Sequence, residues 1–354
     1  MAELSCPLQH RDGNRVVTRH VKRIFWTLAC ALVLAASAAA WWVLRPLPLT
    51  AATVDVSIEP QTPVRGIAQV VVASGVNIDP DVLYVFFRAS GQSRKLRAGS
   101  YEITQGNTAL DVLRKLSRGE ESLKAVTLVE GWTWRQFRAA LAKAEGLKHD
   151  SAGLADEAVM TALGLPGTAP EGRFYPDTYT YGKGSSELHL MQRAAKAMTK
   201  HLAAVWAQRA PNVALQNAEE ALVLASIVEK ETGRESDRTM ISSVFHNRLR
   251  LGMPLQTDPT VIYGLGESFD GNLRRSDLRT DHPWNTYTRK GLPPTPIAMP
   301  GRNALKAAVQ PASSQALYFV ARGDGSSQFS DSLDAHNAAV NRYQRLGAAA
   351  TQAK

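Results

Sequence analysis

Cysteine is nearly missing. The 354 residues hold two, Cys6 in a basic N-terminal stretch and Cys30 inside a long apolar run. Everything after residue 44 lacks a thiol, which excludes a disulfide framework and any thiolate-held metal there. His246, His282 and His336 are scattered, with no H-E-x-x-H or comparable spacing, so no metal-ligand set is readable. There is no G-x-S-x-G elbow, no S-x-x-K set in a workable frame and no glycine-rich phosphate loop. The net charge is +9, yet neither zinc-finger spacing nor an RNA-binding signature accompanies it, so nucleic acid is not an expected partner. No metal and no cofactor is expected.

What is present begins with residues 24–44, an apolar run without a single charge. Its length suffices for one helical crossing of a bilayer. Arg11, Arg15, Arg19, Lys22 and Arg23 precede it against only Glu3 and Asp12, and Trp26, Trp41 and Trp42 sit near its ends. The positive-inside bias and the interfacial tryptophans predict a single-pass inner-membrane protein with a cytoplasmic tail over 1–23 and the bulk exported. A cleaved signal peptide is the alternative, since Ala36-Ser37-Ala38 fits a small-residue cleavage site. The run continuing to Leu44 argues against it, and a lipoprotein site at Cys30 is disfavoured because most of the run follows that cysteine. The basic surface then fits anionic lipid or an acidic wall polymer.

Residues 45–63 read as a proline-punctuated linker with little periodicity, followed by a small α/β unit over 64–122. Within it, 65–75 reads as a short helix and 96–104 as a strand. Ala109, Val112, Leu113 and Leu116 fall on one helical face, capped by Asn107 or Thr108 and ended by Gly119. A second unit spans 123–345. It opens with the apolar strand "AVTLVEG" at 125–131, after which Thr133 caps a helix bearing Trp134, Phe137 and Leu141. Residues 150–170 are weakly patterned, and "EGRFYPDTYTYG" at 171–182 reads as an aromatic loop. Residues 185–208 read as a helix, and "RGDG" signals a hairpin between 316–321 and 328–330. Residues 346–354 form a flexible tail. The fold class is α+β: an N-terminal transmembrane helix, a small α/β subdomain and a mainly helical domain with a small β element.

The stretch "ALVLASIVEKETG" at 221–233 carries two acids, Glu229 and Glu231. Asn217 and Glu220 resemble a capping box at its start, and Gly233 is placed to end it. At 100° per residue Glu229 shares a face with Leu222, Ala225 and Ser226, while Glu231 points almost oppositely, beside Leu224 and Ile227. Residues i and i+2 do not face each other, so these two cannot form an acid–nucleophile dyad across one sugar bond. What remains is a single carboxyl group among small apolar side chains, where desolvation favours the protonated form. A purely structural role, against an arginine or a helix end, is the competing reading. The loops that follow, "VFHNRLRLGMPLQTDPTVIYGLG" and "PWNTYTRKGLPPTPIAMPG", are rich in groups that bond sugar hydroxyls. Gln256, Asn285, Tyr287, Ser226 and Arg248 are the candidate substrate-binding residues.

"LASIVEKET", "NRL", "LQTDPTVIYG", "NTY", "GLPPTPIAMPG" and "YFVARGDG", with "AGSYEI" and "LVEGWTW" upstream, together resemble the endolytic murein transglycosylases, the YceG-like membrane-anchored lytic transglycosylases. The resemblance runs over about 45–345. It implies a LysM-like subdomain at 64–122 and a catalytic domain at 123–345 in the periplasm. It also implies cleavage between N-acetylmuramic acid and N-acetylglucosamine within nascent peptidoglycan strands, leaving 1,6-anhydro-muramic ends and possible strand termination. The first glutamate of V-E-K-E, Glu229 here, takes the catalytic role. Peptidoglycan strands, inner-membrane lipid and penicillin-binding synthases are the implied partners. A non-catalytic wall-binding scaffold and a hydrolase are the alternatives.

Overall fold

The computed structural model describes residues 13–345, with side chains described from residue 26 to residue 344. Most of the expected cytoplasmic tail, Cys6 with it, and the tail at 346–354 lie outside the described residues. The chain divides into two compact units, residues 1–123 and 124–354.

The first unit starts with helix α1 (Gly13–Leu44). Its stretch Trp26–Leu44 has a mean hydropathy of 2.0 and no fully buried residue, with Trp42 packing partly against the core that follows, so it is long and apolar enough to serve as a single membrane anchor. Strand β1 (Thr53–Ile58) follows, then helices α2 (Val64–Ala73) and α3 (Pro80–Ala89), strand β2 (Gly99–Thr104) and helix α4 (Ala109–Arg118). β1 and β2 pair antiparallel, with Val54 opposite Ile103 and Val56 opposite Tyr101. Here the structure corrects the sequence reading: the segment expected to be an unpatterned stalk carries β1. Its T-V-D-V-S-I alternates exposed and buried, the period-2 signature of a strand with one face on a core. That core also takes Leu83, Phe87, Leu113 and Leu116. Thr108, rather than Asn107, caps α4 through a reciprocal box with Asp111, and Gly119 closes it in the left-handed conformation at φ +71°.

The second unit opens with strand β3 (Leu123–Thr127), paired to strand β4 (Thr178–Gly182). Between them lie helices α5 (Trp134–Ala142) and α6 (Asp156–Ala162), the latter in the stretch without sequence pattern. β4 occupies the end of the segment read as a loop, because Tyr179 and Tyr181 alternate inward into the core. Trp134, Phe137 and Phe174 stack with ring centroids 4.7–5.5 Å apart. Both carboxylate oxygens of Glu171 accept from the Trp134 N–H, at 3.0 and 3.1 Å, which ties this aromatic layer to the start of α5.

Helices α7 (Glu187–Ala207), α8 (Ala218–Glu231) and α9 (Glu235–Arg250) come next, then α10 (Asp258–Leu265), α11 (Arg275–Arg279) and α12 (Arg302–Val309). Strands β5 (Tyr318–Ala321) and β6 (Ser327–Ser330) make the expected hairpin, and α13 (Leu333–Val340) follows. α8 is the axis of the unit. Residues 221–228 are all buried, as a helix apolar on every side must be, and α7, α9 and α12 pack around it. The Asn217 side chain accepts from the Glu220 N–H at 2.9 Å. Glu220 reaches back to the N–H of Gln216 instead of completing the expected box. α8 stops at Glu231 because Thr232 turns extended; Gly233 plays no left-handed cap.

Candidate active site

The acids at the end of α8 face separate surroundings, as a two-residue step on a helix requires. Glu229 lies under an irregular strap that runs from residue 292 into the start of α12. Ser226, one turn earlier, fixes this strap: its hydroxyl donates to the Val223 carbonyl at 2.7 Å and accepts the Ile297 N–H at 3.0 Å, fully buried. From the other side Gly131 donates to the Met299 carbonyl at 2.9 Å, and Met299 donates back to Trp132 at 2.7 Å. The strap is therefore clamped between α8 and the loop after β3. At its end the Gly301 N–H, the cap position of α12, donates to Glu229 Oε2 at 2.9 Å.

The Glu229 side chain is 7% exposed, and Arg238 of α9 approaches its other oxygen at 3.6 Å. Burial pushes this carboxyl above its usual range, and the charge of Glu130 pushes the same way; the Gly301 N–H, Arg238 and Lys230 oppose. Glu130 comes from the loop after β3 and is exposed. It reaches the same backbone point as Glu229, since a Cβ built on Gly301 would fall 1.8 Å from Glu130 Oε1. A side chain on residue 301 would displace the Glu130 carboxylate from this point. Such a group can release a proton to a leaving oxygen and take one back.

Glu231 lines a different space, a cavity of about 530 Å³ shared with Arg248, Gln256, Asp258, Tyr287 and Tyr318. Burial pushes its carboxyl up to about 7, with Asp258 adding and the Thr257 hydroxyl and Arg248 opposing. Thr257 donates its hydroxyl to Glu231, and Tyr287 donates its own to Asp258 at 2.5 Å. Of the five residues expected to bind substrate, Gln256, Tyr287 and Arg248 thus stand together on the Glu231 side, and only Ser226 neighbours Glu229. Gln256 sits at φ +52° and accepts from Arg248 at 3.4 Å. Arg248 also donates to the carbonyls of Leu317 and Leu255, both at 2.7 Å, and lies over the Tyr318 ring. Asn285 is fully buried. Its amide donates to the carbonyls of Asp277, Leu278 and Thr280, and its oxygen accepts from the Tyr287 and Thr288 N–H groups. Its hydrogen-bonding capacity is taken up by the loop that presents Tyr287.

The model of the YceG-like family matches residues 56–342. The chain belongs to the YceG-like family. An endolytic murein transglycosylase of Bacillus subtilis (strain 168) is 30% identical to it over 308 residues, 82% of this chain and 85% of that protein. One from Streptococcus pneumoniae (strain D39) is 28% identical over 274 residues, 68% of this chain and 49% of that protein. The crystal structure of a yceG-like protein from Listeria monocytogenes superposes with a TM-score of 0.51 at 29% identity, covering 81% of this chain and 98% of that one.

Sequence reasoning on this YceG-like chain missed Glu130 and Arg238. Glu130 reads as the end of an apolar strand, and its approach to Glu229 is created by the strap, through contacts with no sequence periodicity. The one available signal was Gly301 directly before a helix, where a cap residue with a side chain is usual. His246, by contrast, is a structural residue. Its Nδ1 accepts from Ala214 and its Nε2 faces the Ala308 carbonyl, both at 2.9 Å, which fixes the neutral tautomer.

Proposed function

We propose that this protein is an endolytic peptidoglycan lytic transglycosylase with Glu229 as its acid and base. The observation that carries the reading is the Glu229 carboxyl, nearly sequestered from water and held by one backbone N–H, beside a loop whose Glu130 is open to solvent. Protonated Glu229 donates to the glycosidic oxygen between N-acetylmuramic acid and N-acetylglucosamine as the C1–O bond breaks. The C6 hydroxyl of the muramic sugar then bonds to C1, and its proton returns to Glu229. No water is consumed, the ends are 1,6-anhydro-muramic, and one residue serves twice. Such cuts within nascent strands would end their elongation.

The names of the relatives and the match of nearly the whole exported part support this chemistry. In the same reading the apolar helix anchors the chain in the inner membrane, N-terminus inside, with the domain at 123–345 in the periplasm beside penicillin-binding synthases. The unit at 64–122, with its own hydrophobic core, acts as a LysM-like hold on the wall. Ser226 and Asn285 keep the strap and its loop in place. Gln256, Tyr287 and Arg248 hold a flanking part of the strand in the 530 Å³ cavity.

A second reading makes Glu231 the acid, favoured by its carboxyl near 7 and its position on that cavity. Its engagement by Thr257 argues for a structural role. Digestion of purified glycan strands, with product masses measured, tests the chemistry. Anhydro ends are expected; ends carrying an added water would make the protein a hydrolase, and no cleavage would leave a wall-binding scaffold.

A further inference from the structure

Glu130 has no part in the single-acid scheme, yet the fold brings it to the reacting group. Both carboxylates converge on Gly301: Glu229 Oε2 accepts its N–H at 2.9 Å, and Glu130 Oε1 occupies the space of its missing side chain. Backbone dimensions then put the two carboxyl groups within about 7 Å of each other. A Cβ on Gly131, the residue next to Glu130, would lie 3.8 Å from Glu229 Cγ. The two acids differ in kind. Glu229 is buried, whereas Glu130 is exposed and forms no hydrogen bond or ion pair with a described residue. Burial disfavours charge on Glu229, whereas Glu130 faces solvent.

We propose that Glu130 is a second functional carboxylate of this site, a positioning residue whose negative charge holds the catalytic proton on Glu229. The inference rests on the reading of Glu229 as acid and base. The other charged or polar groups facing Glu229 all act in the opposite sense: Arg238 from α9, Lys230 from its own helix and the Gly301 N–H at the start of α12. Among the described residues Glu130 is the neighbour of like charge that, together with burial, offsets them. The charge of Glu130 also acts on Tyr175, which is hydrogen-bonded to Arg302. Gly301 admits this arrangement without backbone strain, its φ being −81°.

The test is the pH profile of strand cleavage by the full-length protein in detergent, for wild type, Glu130→Gln, Glu130→Asp and Glu229→Gln. Removing the charge makes Glu229 a stronger acid, so the alkaline limb of Glu130→Gln moves to lower pH. Its turnover should fall about 10-fold near pH 7.5 and stay within about 2-fold near pH 5, with Glu130→Asp restoring most of the loss. Superimposable profiles, or a loss equal at every pH, would overturn the proposal. So would water-containing ends from wild type, which would make Glu130 the nucleophile of a hydrolase, a role its separation from Glu229 allows. Retained activity in Glu229→Gln would instead sink the underlying reading, separately from Glu130.

Discussion

The two sides of α8 carry the same chemical group in opposite situations. On the Glu229 side a buried carboxyl has one backbone donor, a cation at 3.6 Å and a second acid reaching the same glycine. On the Glu231 side the carboxyl receives a threonine hydroxyl and helps to wall a cavity with Arg248 and Tyr287. Burial raises both carboxyls and therefore does not by itself separate the proposed reacting acid from the proposed structural one. What differs is the company: the first meets one backbone N–H, a cation and a second acid, whereas the second is stitched to the loop that follows α9.

The sharpest way to break the comparison is Glu229→Gln, expected to lower turnover by about 10²–10⁴-fold with folding intact, measured by release of soluble products. Glu231→Gln should keep turnover within about 10-fold and show its effect in stability. The folded carboxyl titrates near 7, above the ordinary range near 4.5. A group raised in this way contributes stability that is full below the unfolded value and lost as pH rises toward 7. The loss in wild type is on the order of 3 kcal/mol. Denaturant midpoints between about pH 4.5 and 8 should therefore fall less in Glu231→Gln. Glu171, also raised to about 7 by burial, should keep its own share of the slope.

Ser226→Ala leaves the Ile297 N–H buried without an acceptor and should cost about 1–3 kcal/mol of stability, seen in chemical denaturation. Smallest of all, Tyr287→Phe should raise KM a few-fold and leave kcat unchanged, as expected of a group that holds substrate without taking part in bond breaking.

The divergence of the two acids was legible because it follows from helix geometry alone, and the caps at Thr108 and Thr133 because their partners lie three residues away. β1 was hidden by the prolines around it, although its alternation was there to read. β4 was hidden by aromatic residues that read as a loop until their partner strand is known. The end of α8 was misplaced because Gly233 looked like a terminator, whereas Thr232 ends the helix first. The convergence at Gly301 was beyond any local pattern. It needs the strap bonds from Ser226 and Met299, which join residues far apart in the chain. For the same reason Gln256, Tyr287 and Arg248 could be chosen as polar loop residues but not assigned to a side of α8.

The most direct measurement compares anhydro-ended products released from purified strands by wild type, Glu229→Gln and Glu231→Gln, each shown folded by circular dichroism. The expected result is release by wild type and Glu231→Gln and near-complete loss in Glu229→Gln. Loss in Glu231→Gln with release retained in Glu229→Gln would move the chemistry to the other face of the helix and contradict the assignment.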